Sequence, residues 1–193
     1  MDVNTFARRD RRQARPGLAR KRGAGRRRAI GRRHLGVENL ERRALLSTIY
    51  VDDAWASATA GDVVGDGLVF GDDAFSSIPA AIAKANTGDE IQIAEGTYAV
   101  TSTIAVGKGV SLVGAGTAAT ILDASETTGA SALNVTAAEV SLSGFTLSGS
   151  RSNETLRYGV NAAGVAGLSL SDLVVEAMPR SGVNLHGTGD VAI

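Results

Sequence analysis

The chain has 193 residues, no net charge, 44% hydrophobic residues but only 4% aromatic ones, and no cysteine. That length admits one domain plus a tail, the lack of cysteine excludes a disulfide framework or thiolate metal site, and no stretch approaches the roughly 20 apolar residues of a membrane-spanning helix. The zero balance hides two segments of opposite sign: residues 1–43 hold 15 of the 20 Lys+Arg but 4 of the 20 Asp+Glu, a net of +11, which leaves −11 for residues 44–193.

Residues 1–47 form the first predicted segment. Arginine crowds it and no contiguous apolar run interrupts it before Ala44. Such a stretch cannot bury enough surface to offset its ordering entropy, so a disordered leader is expected. An arginine-rich arm can neutralise phosphates. No aromatic residue lies between Arg8 and Arg43, however, and the body that follows is acidic, so nucleic acid is not expected as a partner. The usual secretory signal needs an apolar core of roughly 7–15 residues, and Ala44-Leu45-Leu46 is too short for one. The leader ends in Leu40-Glu41-Arg42-Arg43-Ala44-Leu45-Leu46-Ser47. This resembles the LEPR-XLL segment near the N-terminus of very large bacterial surface and exported proteins. Arg43 matches its arginine and Leu45-Leu46 its leucine pair, while Arg42 stands where proline is usual. The resemblance implies sorting or surface display.

Residues 48–193 form the predicted body, which opens with the β-prone run Ile49-Tyr50-Val51. A glycine-rich loop follows, carrying Asp52, Asp53, Asp62, Asp66, Asp72 and Asp73. Oxygen-rich loops can hold calcium. The spacing fits no EF-hand and acidic loops are usually just solvated, so calcium stays an option and no metal ligand set is assigned. Next, Phe75, Ile78, Ala81, Ile82 and Ala85 recur on one helical face. A helix is therefore predicted over about 75–86, capped by Asp72 or Asp73 and stopped at Asn86-Thr87-Gly88. Short runs then come in quick succession: Ile91–Ile93, Thr103–Val106, Val110–Val113, Thr120–Leu122, Ala132–Val135, Val140–Leu142, Phe145–Leu147, Leu168–Leu170 and Leu173–Val175. Glycine or polar residues separate most of them.

An internal repeat decides the architecture. At an offset of 23, Gly159-Val160-Asn161 meets Gly182-Val183-Asn184, and Leu168 and Leu170 meet Val191 and Ile193. Leu133-Asn134-Val135 meets Val160-Asn161-Ala162 at 27, and Val140-Ser141-Leu142 meets Leu168-Ser169-Leu170 at 28. An outward loop at Ser150–Arg157 accounts for the extra residues. Several short strands in a period of this size predict one coil of a right-handed parallel β-helix, an all-β solenoid with inward apolar columns. Asn134, Asn161 and Asn184 share a column, read as a turn ladder rather than a ligand contact. The first coil of a solenoid exposes an apolar cross-section, and the helix at 75–86 is expected to cap it.

The stretch 75–123 is similar to the N-terminal region of the pectin lyase-like superfamily. The matching residues are Gly88-Asp89, Gly96-Thr97-Tyr98, Gly114-x-Gly116 and Thr120-Ile121-Leu122-Asp123. The resemblance implies a β-helix and covers nearly the whole body, but the fold carries many unrelated sites. Family enzymes place their carboxylates, calcium ligands and basic residues on later coils. The chain is therefore expected to be the truncated, N-terminal part of a longer protein.

No catalytic residue is assigned. Asp123 and Asp172 are weighed as acid–base carboxylates but read as turn residues. His34 falls in the leader, and His186 reads as a surface residue. Trp55 and Tyr98 could stack on sugar, although a lone aromatic more often packs. Gly114-Ala115-Gly116 lacks the helix a phosphate loop needs, so it reads as a turn. The expected function is an exported or cell-surface β-helix module, structural or carbohydrate-contacting. Its expected partner is polysaccharide or a cell-surface glycan. The alternative is the N-terminal part of a polysaccharide lyase or esterase whose active coils lie downstream.

Overall fold

Aliphatic residues at every second position give each short strand one apolar edge, and one edge can be buried only if another strand stacks on it. The structure, a computed structural model, describes residues 46–193. The predicted leader, His34 and most of the Leu40–Ser47 segment lie outside the described residues. The strands in chain order are β1 (Thr48–Val51), β2 (Val63–Val64), β3 (Leu68–Val69) and β4 (Ala74–Phe75), followed by helix α1 (Ile78–Lys84). Then come β5 (Glu90–Ile93), β6 (Gly96–Ala99), β7 (Ile104–Val106), β8 (Ser111–Gly114), β9 (Thr120–Asp123) and β10 (Ser131–Val135). The last are β11 (Ser141–Ser148), β12 (Tyr158–Ala163), β13 (Leu168–Glu176), β14 (Ser181–His186) and β15 (Val191–Ala192).

These strands wind into a parallel β-solenoid with three faces. The first face runs β4-β1-β5-β8-β11-β13-β15 and the third runs β7-β10-β12-β14. The second stacks β6, β9 and the C-terminal halves of β11 and β13. Every pair between coils is parallel, whereas the β2–β3 hairpin is antiparallel. Ile49, Ile91, Leu112, Leu142 and Leu170 form one inward column of the first face, and all are buried. Tyr98, Leu122 and Leu147 line the second face, and Ile104, Leu133 and Val160 the third. The predicted offsets of 23, 27 and 28 are the pairing registers of β12 with β14, β10 with β12, and β11 with β13.

Local details differ from the sequence expectation in three places. First, the helix begins at Ile78 with Ser77 as its N-cap, not at 75. Phe75 is buried instead as the last residue of β4, paired with Val51, because an extended backbone there continues the first face. Neither Asp72 nor Asp73 caps the helix. Asp73 Oδ1 accepts the Val69 N–H at 2.5 Å, and Asp72 pairs with Lys84 at 2.5 Å. Pro79 does lie in the first turn, where its missing N–H costs least. Second, the asparagine column runs through the middle of β10, β12 and β14 rather than through a turn. Asn161 Nδ2 donates to Asn134 Oδ1 at 2.8 Å, and Asn184 Nδ2 to Asn161 Oδ1 at 2.7 Å. Parallel in-register stacking aligns like amides head to tail, which is why a strand suits the ladder. Third, Val140–Leu142 and Phe145–Leu147 fuse into β11, and Leu168–Leu170 and Leu173–Val175 into β13. Each long strand turns between faces at one left-handed residue, Gly144 (φ 74°) or Asp172 (φ 46°), one coil apart.

Helix α1 buries Ile78, Ala81 and Ile82 and packs against β1, β4, β5 and β7, so it covers the N-terminal end of the interior. Lys108 of the following coil fastens its last turn. Its Nζ donates to the carbonyls of Ala83 (2.7 Å) and Ala85 (2.6 Å), where a cation also complements the helix dipole. No described helix is long and apolar enough to cross a membrane.

Candidate functional site

Outward residues of a stacked sheet form columns just as inward ones do. On the first face, Tyr50, Gln92, Val113, Ser143 and Ser171 stack in one outward column. Thr48, Glu90, Ser111, Ser141 and Ser169 stack in the next. Over the last coils this gives a flat ledge of short hydroxyls. Over the first coils the loop 52–73 overhangs the sheet and turns the ledge into a cleft.

The overhang is a built structure. Asp52 caps a short 3-10 turn, Asp53–Trp55, by accepting the Ala54 N–H at 2.9 Å. The β2–β3 hairpin closes with Phe70 N–H donating to Asp62 O and Gly61 N–H to Phe70 O, both at 2.9 Å. Asp62 also accepts from the Thr59 N–H and hydroxyl, and these bonds hold its carboxyl below the usual range. Gly65 (φ +48°) lies flat against Trp55, since a Cβ there would stand 3.3 Å from the indole and 3.8 Å from Leu68. The indole is thus fixed by the hairpin while staying half-exposed.

Between overhang and sheet lies a cleft of about 680 Å³, whose side-chain lining includes Tyr50, Asp52, Trp55, Asp66, Leu68 and Gln92. Its volume falls within the roughly 300–1,000 Å³ of small-ligand clefts. Two aromatic rings, an amide and two carboxylates converge on it. Gln92 Nε2 donates to Glu90 Oε1 at 2.9 Å, which orients the amide at the cleft floor.

Of the residues singled out from sequence, Trp55, Asp52 and Asp66 meet in this cleft, with Gly114 and Ala115 at its edge. Gly116 (φ 138°) donates its N–H to Gly144 O at 2.8 Å, which is a turn role. Tyr98 lies apart and is buried. Its hydroxyl donates to Val51 O (3.3 Å) and Ala94 O (3.2 Å). Burial, with the nearby charges of Asp53 and Asp52, pushes the phenol up to about 12. Asp123 accepts the Ser125 N–H at 3.0 Å in a turn, Asp172 forms the bend of β13, and His186 is exposed at the end of β14. Asp72 and Asp73 are engaged with Lys84 and Val69 as described. Among the described residues no three of the His, Cys, Asp and Glu side chains converge as a metal set.

Sequence reasoning missed Tyr50, Gln92 and Leu68 as cleft residues. They come from three separated segments, and only the parallel register brings Tyr50 beside Gln92. A scan against known protein-family models matched none, and searches of curated proteins and of solved structures returned no match.

Proposed function

We propose that this chain is an exported or cell-surface β-helix module that contacts carbohydrate through the cleft under loop 52–73. The observation that carries this reading is the half-exposed indole of Trp55, held by Gly65 and facing a cleft that also offers Tyr50, Gln92 and Asp66. Sugars present an apolar ring face and a rim of hydroxyls. An aromatic plane beside amide and carboxylate acceptors complements both. The hydroxyl ledge of Ser143 and Ser171 extends the same column, so a chain of sugars could continue along the sheet. Export rests on the basic leader and on the likeness of Leu40–Ser47 to a surface-protein segment.

Titration calorimetry of the full chain against a panel of glucans, hexosamine glycans and oligogalacturonate tests the reading. Binding to at least one glycan is expected, with Trp55→Ala weakening it tenfold or more. No binding across the panel, or binding untouched by Trp55→Ala and by Gln92→Ala alike, would overturn it. The competing reading, a polysaccharide lyase, is tested in the same samples. Growth of unsaturated-product absorbance from oligogalacturonate with calcium would establish the lyase instead.

A further inference from the structure

Charge in the described residues is sorted by place. Of the five basic residues in 44–193, none lines the cleft. Lys84 pairs with Asp72, and Lys108 is committed to the carbonyls of α1. Arg151, Arg157 and Arg180 lie in the connections that follow β11 and β13, which lead from the second face to the third. The cleft on the first face has the opposite character. Asp52 and Asp66 line it, and Glu90 is hydrogen-bonded to its Gln92. Among the described residues no cation neutralises these three carboxylates; the Lys84–Asp72 contact is the ion pair found there.

A uronate chain would bring a carboxylate into this field with every sugar and meet no positive group in the cleft lining. An amino sugar would bring an ammonium within reach of Asp66 and Asp52 while its ring still lies on Trp55. We infer that the cleft selects a cationic glycan, a hexosamine chain carrying free amines, over its N-acetylated counterpart and over polyuronate. This rests on the glycan reading above and adds to it the sign of the ligand's charge. The cleft and its aromatic wall make the site, and the carboxylates choose among sugars that fit it. Half-open surroundings limit each contact to the strength of a surface ion pair, roughly a few-fold in affinity. Two such contacts give an expected preference on the order of tenfold. Because the Debye length is about 10 Å at 0.1 M salt and about 3 Å at 1 M, the preference should shrink as salt rises.

The test is calorimetric titration of the full chain with a glucosamine hexamer, the N-acetylglucosamine hexamer, oligogalacturonate of equal length and oligolysine of equal charge. Expected is about tenfold tighter binding of the glucosamine hexamer than of its acetylated form, with any binding of oligogalacturonate unchanged by Trp55→Ala, since the leader's 15 Lys+Arg attract a polyanion without the cleft. Asp66→Asn, in an exposed loop, should bring the two hexosamines within about threefold of each other. High salt should do the same. Equal affinity for the two hexosamines, or tightest binding of oligogalacturonate that Trp55→Ala abolishes, overturns the inference and leaves the glycan reading standing. Oligolysine binding as tightly as the glucosamine hexamer, and unaffected by Trp55→Ala, overturns it too, since the surface would then read charge without sugar. Failure of all three glycans to bind overturns both.

Discussion

From β10 onward, each coil lies on the one before it through repeated means: backbone ladders in unbroken register, an asparagine column, and bends one coil apart at Gly144 and Asp172. Between β1 and β8 the sheet register repeats but the side-chain devices do not. There the chain uses single devices, namely Asp89, the Lys108 clamp, the Ser77-started helix and the Asp-capped overhang. The regular coils are held by many equivalent contacts, so no side-chain polar contact should be decisive; backbone spacing should be. The N-terminal end has to close an apolar cross-section and shape a cleft with few contacts, so individual side chains there should matter more. Specialisation follows the irregular part, because a perfect stack offers only flat ledges.

The largest effect should come from disturbing backbone spacing where two coils approach most closely. A Cβ at Gly114 would stand 2.3 Å from the Gly144 carbonyl oxygen and 2.9 Å from the Phe145 Cβ. That carbonyl is also tied to the Gly116 N–H at 2.8 Å, so it cannot swing away without losing a bond. Gly114→Ala should cost on the order of 4 kcal/mol in denaturant unfolding. Gly164→Ala is the control. Its φ of +67° is strained for alanine, but nothing lies within 4 Å of the added methyl, so a cost of about 1 kcal/mol is expected. Equal losses for the two variants would mean that close stacking does not govern the coils.

A middle-sized effect sits at the N-terminal end. Asp89 is buried, accepting the Ser47 N–H at 3.0 Å and the Asn86 N–H at 2.7 Å. Burial raises its pKa, but these backbone hydrogen bonds outweigh it and hold the carboxyl below the usual range. A depressed folded-state pKa means that the ionised form is favoured by folding. Its stabilisation is complete above the unfolded value of about 3.9 and is lost as pH falls through the folded one. Asp89→Asn should therefore lower stability by about 2 kcal/mol at pH 7. The gap between variant and parent should close as pH drops below about 4. A gap that stays constant down to strong acid would show that shape, not charge, holds the joint.

The same contrast explains what could be read from sequence. Inward columns and registers were legible because stacking forces residues 23, 27 and 28 apart to be alike in volume and polarity, as Leu133, Val160 and Val183 are. The faces along which Phe75 and Ile78 are buried were legible too, but not which element buries them. Phe75 fits a helical face equally well, and only the free edge of β1 draws it into a strand. The glycines singled out at 114 and 116 are spacing and turn devices. The cleft was legible only in part. Trp55 and the aspartates mark the loop, yet no local pattern tells which sheet residues that loop will overhang.

The smallest effect should come from the most visible sequence feature. Asn161 both donates to Asn134 and accepts from Asn184, so Asn161→Leu removes two amide hydrogen bonds at once. All three side chains are half-buried, so water can reach the orphaned groups, and β12 keeps its backbone ladder to β10 and β14. Leucine is a good packer but places apolar surface outward, where it gains little. A loss of about 1 kcal/mol is expected, well below that of Gly114→Ala. A loss of comparable size would make the ladder, rather than the close approach of backbones, the main tie between coils. It would also imply that the regular region depends on single side chains as much as the N-terminal end does. Asn161 and Asp89 share no hydrogen-bond partner, so the losses of Asn161→Leu and Asp89→Asn should add in the double variant; a departure from additivity beyond about 0.5 kcal/mol would show the two regions to be coupled.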